Sequence, residues 1–273
     1  MDTVSFKNNR GIIMNRFFKD LHKYKNYTIY ASKSDLKSEV AGSYLNWLWW
    51  ILDPICFMLI YTLIFGVIFK AAELYFPIFI FIGLTMWNFF NRLMLSSIKI
   101  VKNNKAIVSK VYLPKHILLI EKMGVEAFKM GISFLIVIIM MIFYRVPVTW
   151  NVLCLVPILI TFFVISFGFS TFLLHFGVFV QDLRNVVQIG LRLVFYMTGI
   201  FYNLETRIPA PYSDYLEKLN PVAFLMTSMR KALLYQETVD WLWLGIWFVV
   251  GILICMLGIH TIYKNENSYV KVI

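Results

Sequence analysis

The sequence predicts an all-α integral membrane protein with six transmembrane helices, an N-terminal amphipathic interface helix, and a re-entrant external helical hairpin between helices five and six. Three observations carry this reading. Of 273 residues, 60% are hydrophobic and 15% charged, against roughly half and roughly a quarter in a soluble domain. Several apolar runs reach the ~20 residues needed to cross a bilayer. Lysine and arginine crowd into alternate connecting segments, the pattern that fixes orientation in a membrane.

The chain opens with a polar segment, 1–44, carrying Lys7, Arg10, Arg16, Lys19, Lys23, Lys25, Lys33 and Lys37. It has no apolar h-region with a small-residue cleavage site, so the first span is expected to act as an uncleaved anchor. Within it, "MNRFFKDLHKYKNYTIY" (14–30) sets Phe17, Phe18, Leu21 and Tyr24 along one helical face with lysines between. Such a helix suits the cytosolic interface, apolar side in lipid and basic side toward anionic headgroups. It equally suits docking on a partner protein.

The transmembrane domain is expected over 45–263, with spans at about 45–69, 74–98, 117–144, 152–176, 185–203 and 241–263. In "GSYLNWLWWILDP" (42–54), Trp47, Trp49 and Trp50 mark the depth where the chain enters from the cytosol, because indole favours that interface. Asp53 and Pro54 follow about two turns in. An ionisable group there should face the bundle or a wet cavity, and the proline should bend the helix.

The cytosolic loop 99–116 carries Lys99, Lys102, Lys105, Lys110 and Lys115. The third span then opens on a charged stripe: Lys115, Glu121, Lys122, Glu126, Lys129 and Ser133 share one broad face at 100° per residue. Lys122–Glu126 and Glu126–Lys129 are i,i+4 and i,i+3 pairs. Glu121 and Lys122 read as a self-neutralising pair at the cytosolic end. Glu126 and Lys129 lie deeper and are candidates, with Asp53, for a polar face along a pathway. Asp182 and Arg184 read as a cytosolic ion pair ending the fourth span.

The external segment 204–240 is the longest loop. "RIPAPYSDYLEKLNP" is broken by prolines, and "VAFLMTSMRKALLY" forms a short amphipathic helix with Leu225 and Met229 on its apolar side. It is too short to cross and too apolar to stand in water, which suits a re-entrant or surface-lying helix. The far side carries only Lys70, Arg145, Arg207, Lys218, Arg230 and Lys231. The asymmetry, an even span count and the tail 264–273 place both termini in the cytosol. It also explains the +11 net charge without nucleic acid as a partner.

Chemistry-bearing motifs are sparse. The chain contains no Gly-Lys pair, and hence no Walker-type phosphate loop. There is no GxSxG, no HExxH and no CxxC. Cys56, Cys154 and Cys255 sit singly in apolar runs and read as small core residues. No catalytic residue, cofactor-binding residue or metal ligand is expected. The residues alone leave a transporter subunit, a channel or receptor, and an intramembrane scaffold or lipid-modifying enzyme as candidates.

Four pieces in order resemble the permease subunits of bacterial ABC exporters for cell-surface polysaccharides, the O-antigen and teichoic-acid export family. They are "SDLKSEVAGSYLNWLWWILDP", "NKAIVSKVYLPKHILLIEKM", "VQDLRNVVQIGLRLVFYMTGIFY" and "LNPVAFLMTSMRKALLY". The resemblance implies a homodimer in the bacterial cytoplasmic membrane, paired with two copies of a separate ATP-binding subunit that holds ATP and magnesium. It implies a lipid-linked glycan as substrate. The loop 101–115, with Lys105, Lys110, Tyr112 and Pro114, matches the coupling helix against the ATPase. The hairpin, with Pro209, Pro221, Leu225 and Met229, matches the external gate. An exporter of lipid or drug sharing this fold is the runner-up. One departure is visible: many relatives carry an "RDIKxRY"-like motif, and here "KSDLKSEV" has Ser34 before Asp35 and lacks the later Arg-Tyr.

Overall fold

The computed structural model describes residues 14–70 and 73–272. Lys7 and Arg10 of the expected basic leader lie outside them. Among the described residues every regular element is helical.

Two short helices come first, α1 (14–23) and α2 (Lys25–Val40). A 3₁₀ turn, Asn46–Leu48, leads into α3 (Trp49–Tyr61), which continues as π-helix over Thr62–Ile68. Then follow α4 (Phe76–Asn103), the one-turn α5 (Lys105–Val108), α6 (Lys115–Phe143) and α7 (Leu155–Phe179). After them come α8 (Leu183–Met197), α9 (Leu204–Arg207), α10 (Tyr212–Leu219) and α11 (Pro221–Arg230), the last extended by a π-turn to Tyr235. The chain closes with α12 (Trp241–Lys264) and α13 (Glu266–Val272).

Among the described residues, five helical stretches are long and apolar enough to cross a membrane: Asn46–Ile68, Phe76–Asn103, Lys115–Phe143, Trp150–Phe179 and Trp241–Lys264. The expected crossing at 185–203 is represented by α8, whose 15 residues extend only about 22 Å. It stops because Gly199 adopts φ +69, the left-handed geometry that ends helices. Pro54 lies inside α3, but the irregular approach comes earlier, where Asn46 has φ +50.

The core is built on α4. Phe79, Phe81, Ile82, Met86, Leu93 and Met94 are almost fully buried, with α3, α6, α7, α8 and α11 packed around them. Two glycines permit close crossings. A Cβ on Gly177 would fall on the backbone carbonyl of Ile98 in α4, and one on Gly258 would strike Thr171 across the α7–α12 contact. Small residues at such crossings let membrane helices approach until their backbones touch.

The bundle has two distinguishable ends. At one, both termini gather: Tyr263 Oη donates to Asp20 at 2.6 Å, Arg16 pairs with Glu266 at 3.1 Å, and the His175 ring meets Tyr269 at 2.8 Å. At the other, Tyr75 packs on Tyr144, Asn151 Nδ2 donates to the Gln236 carbonyl, and Trp247 Nε1 donates to the Lys218 carbonyl at 3.0 Å. We call these the terminal end and the hairpin end. The amphipathic α1 is packed on the chain itself at the terminal end. Phe17 lies 5.1 Å from the His116 ring and 6.3 Å from Phe167, while Phe18 stays exposed.

Candidate functional site

The three candidates for a polar face, Asp53, Glu126 and Lys129, come together in one polar cavity of about 260 Å³ between α3, α4 and α6. Asp53 and Pro54 enter it from α3, and Glu126, Lys129 and Ser133 from α6; α4 adds Thr85, Asn88 and Arg92. Asp53 turns toward α4, where Arg92 Nη2 lies 3.3 Å from its Oδ2. Glu126 is the most enclosed charge of this cavity, 4% exposed. A buried carboxylate needs cations and donors around it. Lys129 supplies one at 3.3 Å, and Lys122 stands at 4.0 Å.

The network extends to α2. Glu39 pairs with Lys129 and, at 3.3 Å, with Lys122; Asp35 pairs with Lys122 at 3.0 Å. Ser32 Oγ donates to the Glu121 carbonyl at 3.0 Å. Burial alone would raise the Glu39 carboxyl, but Lys129 and Lys122 outweigh it and hold it below its ordinary value. The α6 stripe is therefore only partly self-neutralised. Its lysines are shared with Asp35 and Glu39 of a helix some ninety residues earlier. Chemically the cavity offers two carboxylates, two cations, an amide and the faces of Trp49, Trp50 and Phe89. That set suits a hydroxyl-rich ligand, which needs donors, acceptors and stacking surfaces together.

The terminal end displays the second group. Lys105 and Lys110 are exposed, while Val108 and Leu113 anchor the loop in the core. Pro114 is buried and forms the N-cap position of α6. Tyr112 is held from two sides: Arg16 Nη2 donates to its hydroxyl and Tyr24 Oη to its carbonyl, at 2.5 and 3.3 Å. Burial and the nearby Glu266 carboxylate push its phenol up to about 12. Arg16 also lies over the Tyr263 ring, 4.3 Å from its centroid. Asp182 and Arg184 are both exposed. They form no ion pair with each other among the described residues; Asp182 instead accepts Asn185 N–H at 3.0 Å through its main-chain carbonyl.

At the hairpin end, α11 begins with a cap legible in its sequence. Asn220 Oδ1 accepts from the amides of Val222 and Ala223, and Pro221 occupies the first turn, where its missing N–H is harmless. Leu225 and Met229 are fully buried in the chain's own core, whereas Tyr212, Tyr215 and Leu219 of α10 are exposed. Pro209 and Pro221 bracket α10. Lys231 ties α11 to Glu205 at 2.7 Å and to Glu217 at 3.8 Å. Glu73 accepts from Tyr235 and Thr206, both at 3.2 Å.

Sequence reasoning missed Arg92 and Arg230. Arg230 is enclosed with no carboxylate within 4 Å among the described residues. Its guanidinium donates to three carbonyls, Phe79 at 3.2 Å, Gly199 at 2.8 Å and Ile200 at 3.0 Å. It also lies 3.5 Å from the centroid of the Phe79 ring. Gly83 leaves the space it occupies. The Gly199 and Ile200 carbonyls follow the end of α8, where the helix dipole is negative. The signal available in sequence was a lone arginine on the apolar side of a short helix.

Residues 30–234 match the ABC-2 type transporter family. Among similar proteins, an O-antigen export system permease protein RfbA of Myxococcus xanthus is 26% identical over 224 residues, covering 82% of this chain and 86% of its own. Another of that name, from Klebsiella pneumoniae, is 23% identical over 246 residues, covering 90% and 94%.

Proposed function

Since the chain belongs to the ABC-2 type transporter family, we propose that it is the membrane subunit of an ATP-driven exporter moving a lipid-linked polysaccharide, or a teichoic-acid-like polymer, outward across the bacterial cytoplasmic membrane. The observation that carries this is the family match over residues 30–234, joined by near full-length similarity to permeases named for O-antigen export. The 273 residues include no Gly-Lys pair, so the power source is assigned to a separate ATP-binding subunit, in two copies.

The terminal end is assigned to the cytosol, on its lysine excess. The exposed Lys105 and Lys110, with Tyr112 and Pro114 behind them, are assigned to the ATPase contact. A sixth crossing is assigned to α8 and the turn after it. Its start follows α7 at the terminal end, and Gly199 and Ile200 bond Arg230 beside Phe79, near the start of α4. The homodimer is assigned to the outward apolar faces of α3 with its π-helical continuation and of α8, which expose Phe57, Leu63, Val67, Ile189, Leu193 and Tyr196. The polar cavity and these faces would flank the pathway, where sugar hydroxyls meet Asp53, Arg92, Glu126 and Lys129. The hairpin is read as re-entrant, with α11 as its anchor through Leu225 and Met229 and α10 as the gating part between Pro209 and Pro221.

The test is reconstitution. The chain in liposomes, free of contaminating ATPases, should not hydrolyse ATP. With a separate ATP-binding subunit added, hydrolysis should appear and respond to lipid-linked polymer. Loss of the gene should trap that polymer inside the cell. ATP turnover by the lone chain, or a surface polymer unaffected by its loss, would overturn the assignment.

A further inference from the structure

A second cavity, on a different face of α6, is absorbed by none of the above. It measures about 730 Å³ and is walled by α6 from Ala127 to Ile142 and by α7 from Leu155 to Phe163, with Leu233 of the hairpin and the α6–α7 turn closing it. Every lining residue is apolar except Arg145. The groove opens sideways past Ile138 and Ile142, 53% and 72% exposed. The stretch from Ala127 to Ile142 rises about 22 Å, enough for the ~15 Å hydrocarbon depth of one leaflet.

The charge sits at the correct height for a headgroup. Arg145 is exposed and has no carboxylate within 4 Å among the described residues. Tyr144 and Trp150 flank it in the turn, 41% and 87% exposed, and Trp241 begins α12 at the same end, 57% exposed. Exposed Trp and Tyr gather where hydrocarbon meets headgroups. The faces of α3 and α8 assigned to a second copy contribute nothing to this groove. Met130 lines both this groove and the polar cavity, so the two sites share a wall one side chain thick.

We infer that the α6–α7 groove is a binding site for a single anionic phospholipid, its acyl chain lying along α6 down to Met130 and its phosphate held by Arg145. Calling the leaflet outer rests on the orientation proposed above; the binding does not. An occupant here would press on the wall of the polar cavity, giving the surrounding membrane a direct contact with the pathway.

Gly131 supplies a clean probe. A Cβ added there meets nothing within 4 Å, so Gly131→Phe fills the groove without displacing packed atoms. Arg145 has φ +53, a conformation asparagine tolerates, so Arg145→Asn removes the charge and keeps the turn. The purified full chain is placed in nanodiscs of equal phosphatidylglycerol and phosphatidylcholine, released into mild detergent, and its retained lipids counted by native mass spectrometry. Wild type should retain one phosphatidylglycerol per chain, Gly131→Phe none, and Arg145→Asn about fivefold less. Leu253→Phe, on an exposed face of α12, should match wild type. Equal retention by wild type and Gly131→Phe would overturn the site. Equal retention of the two lipids by wild type would overturn the anionic headgroup. A Gly131→Phe protein that loses its dimer while retaining its lipid would give the groove to a second copy. None of these outcomes bears on ATP turnover or export.

Discussion

Glu39 of α2 reaches Lys129 of α6, and that same ammonium lies 3.3 Å from the buried Glu126. One lysine thus closes the polar cavity and fastens α2. Reversing either charge should loosen α2, and reversing both should restore part of the contact. Ser32 and Gly124 face each other across this interface, with Ser32 Oγ 3.3 Å from the position of a Gly124 Cβ. A cysteine pair at these two positions should form a disulfide readily in the parent, several-fold more slowly in Glu39→Lys or Lys129→Glu, and at intermediate rate in the double reversal. Equal rates in all four would show that the ion pair does not hold α2.

The same pair sets a pH dependence. Glu39 has its carboxyl held below the ordinary 4.5, because Lys129 and Lys122 outweigh burial. A depressed acid contributes stability above its unfolded value and loses it as pH falls through the folded one. Hydrogen exchange in α2 should therefore be flat from pH 8 to 5.5, after correction for intrinsic rates. It should rise below the ordinary carboxylate range. The Glu39→Gln protein should show raised exchange at every pH and no such step.

Much of this was open to a sequence reading, for a physical reason. The crossings announce themselves by length, and the α6 stripe by its 100° repeat, because both are local properties of one helix. What stayed hidden depends on partners far along the chain. Asp35 and Glu39 look like ordinary charges on a polar helix until α6 is placed against them. Arg230 looks like a surface cation until three carbonyls from α4 and the end of α8 surround it. The stretch 185–203 has the composition of a crossing, yet Gly199 ends the helix early and Arg192 remains exposed on it.

Coupling should depend on Arg16. Its guanidinium joins α1 to the loop at Tyr112, to Glu266 of α13, and to the Tyr263 ring. If the loop meets an ATPase, this side chain is one route by which motion there reaches α1 and α12. Arg16→Ala should leave the subunits assembled but make ATP hydrolysis insensitive to substrate. The Lys105→Glu, Lys110→Glu double variant should instead reduce co-purification with the ATPase. The two phenotypes separate transmission from docking; identical loss of assembly in both would merge them.

Gly177 should tolerate no side chain. Its Cβ position coincides with the Ile98 carbonyl, a backbone atom that cannot rotate away. Gly177→Ala must push α4 and α7 apart, and overpacking of this kind costs about 1–3 kcal/mol. Gly190, where a Cβ meets nothing within 4 Å, is the matched control. Gly177→Ala should lower the midpoint of thermal unfolding in detergent by several degrees, and Gly190→Ala should leave it nearly unchanged.

Arg230 offers the sharpest test of what holds the hairpin in place. Burial lowers its affinity for a proton, yet the geometry is that of a cation: three carbonyls accept from it and an aromatic face lies beneath it. Those carbonyls come from α4 and from the turn after α8, so one side chain of α11 fixes three segments. Methionine fills similar volume but leaves the carbonyls without donors, and a buried unsatisfied group costs about 1–3 kcal/mol. Lysine keeps the charge but lacks the planar fork that serves Gly199 and Ile200 together. Stability should therefore fall in the order Arg, Lys, Met, with Arg230→Met losing at least the about 1–3 kcal/mol of one unsatisfied buried carbonyl. The readout is protease accessibility of 203–220, which should rise with each step down the series. If Arg230→Met protects this segment as well as arginine does, the hairpin is held by the packing of Leu225 and Met229 and not by the guanidinium.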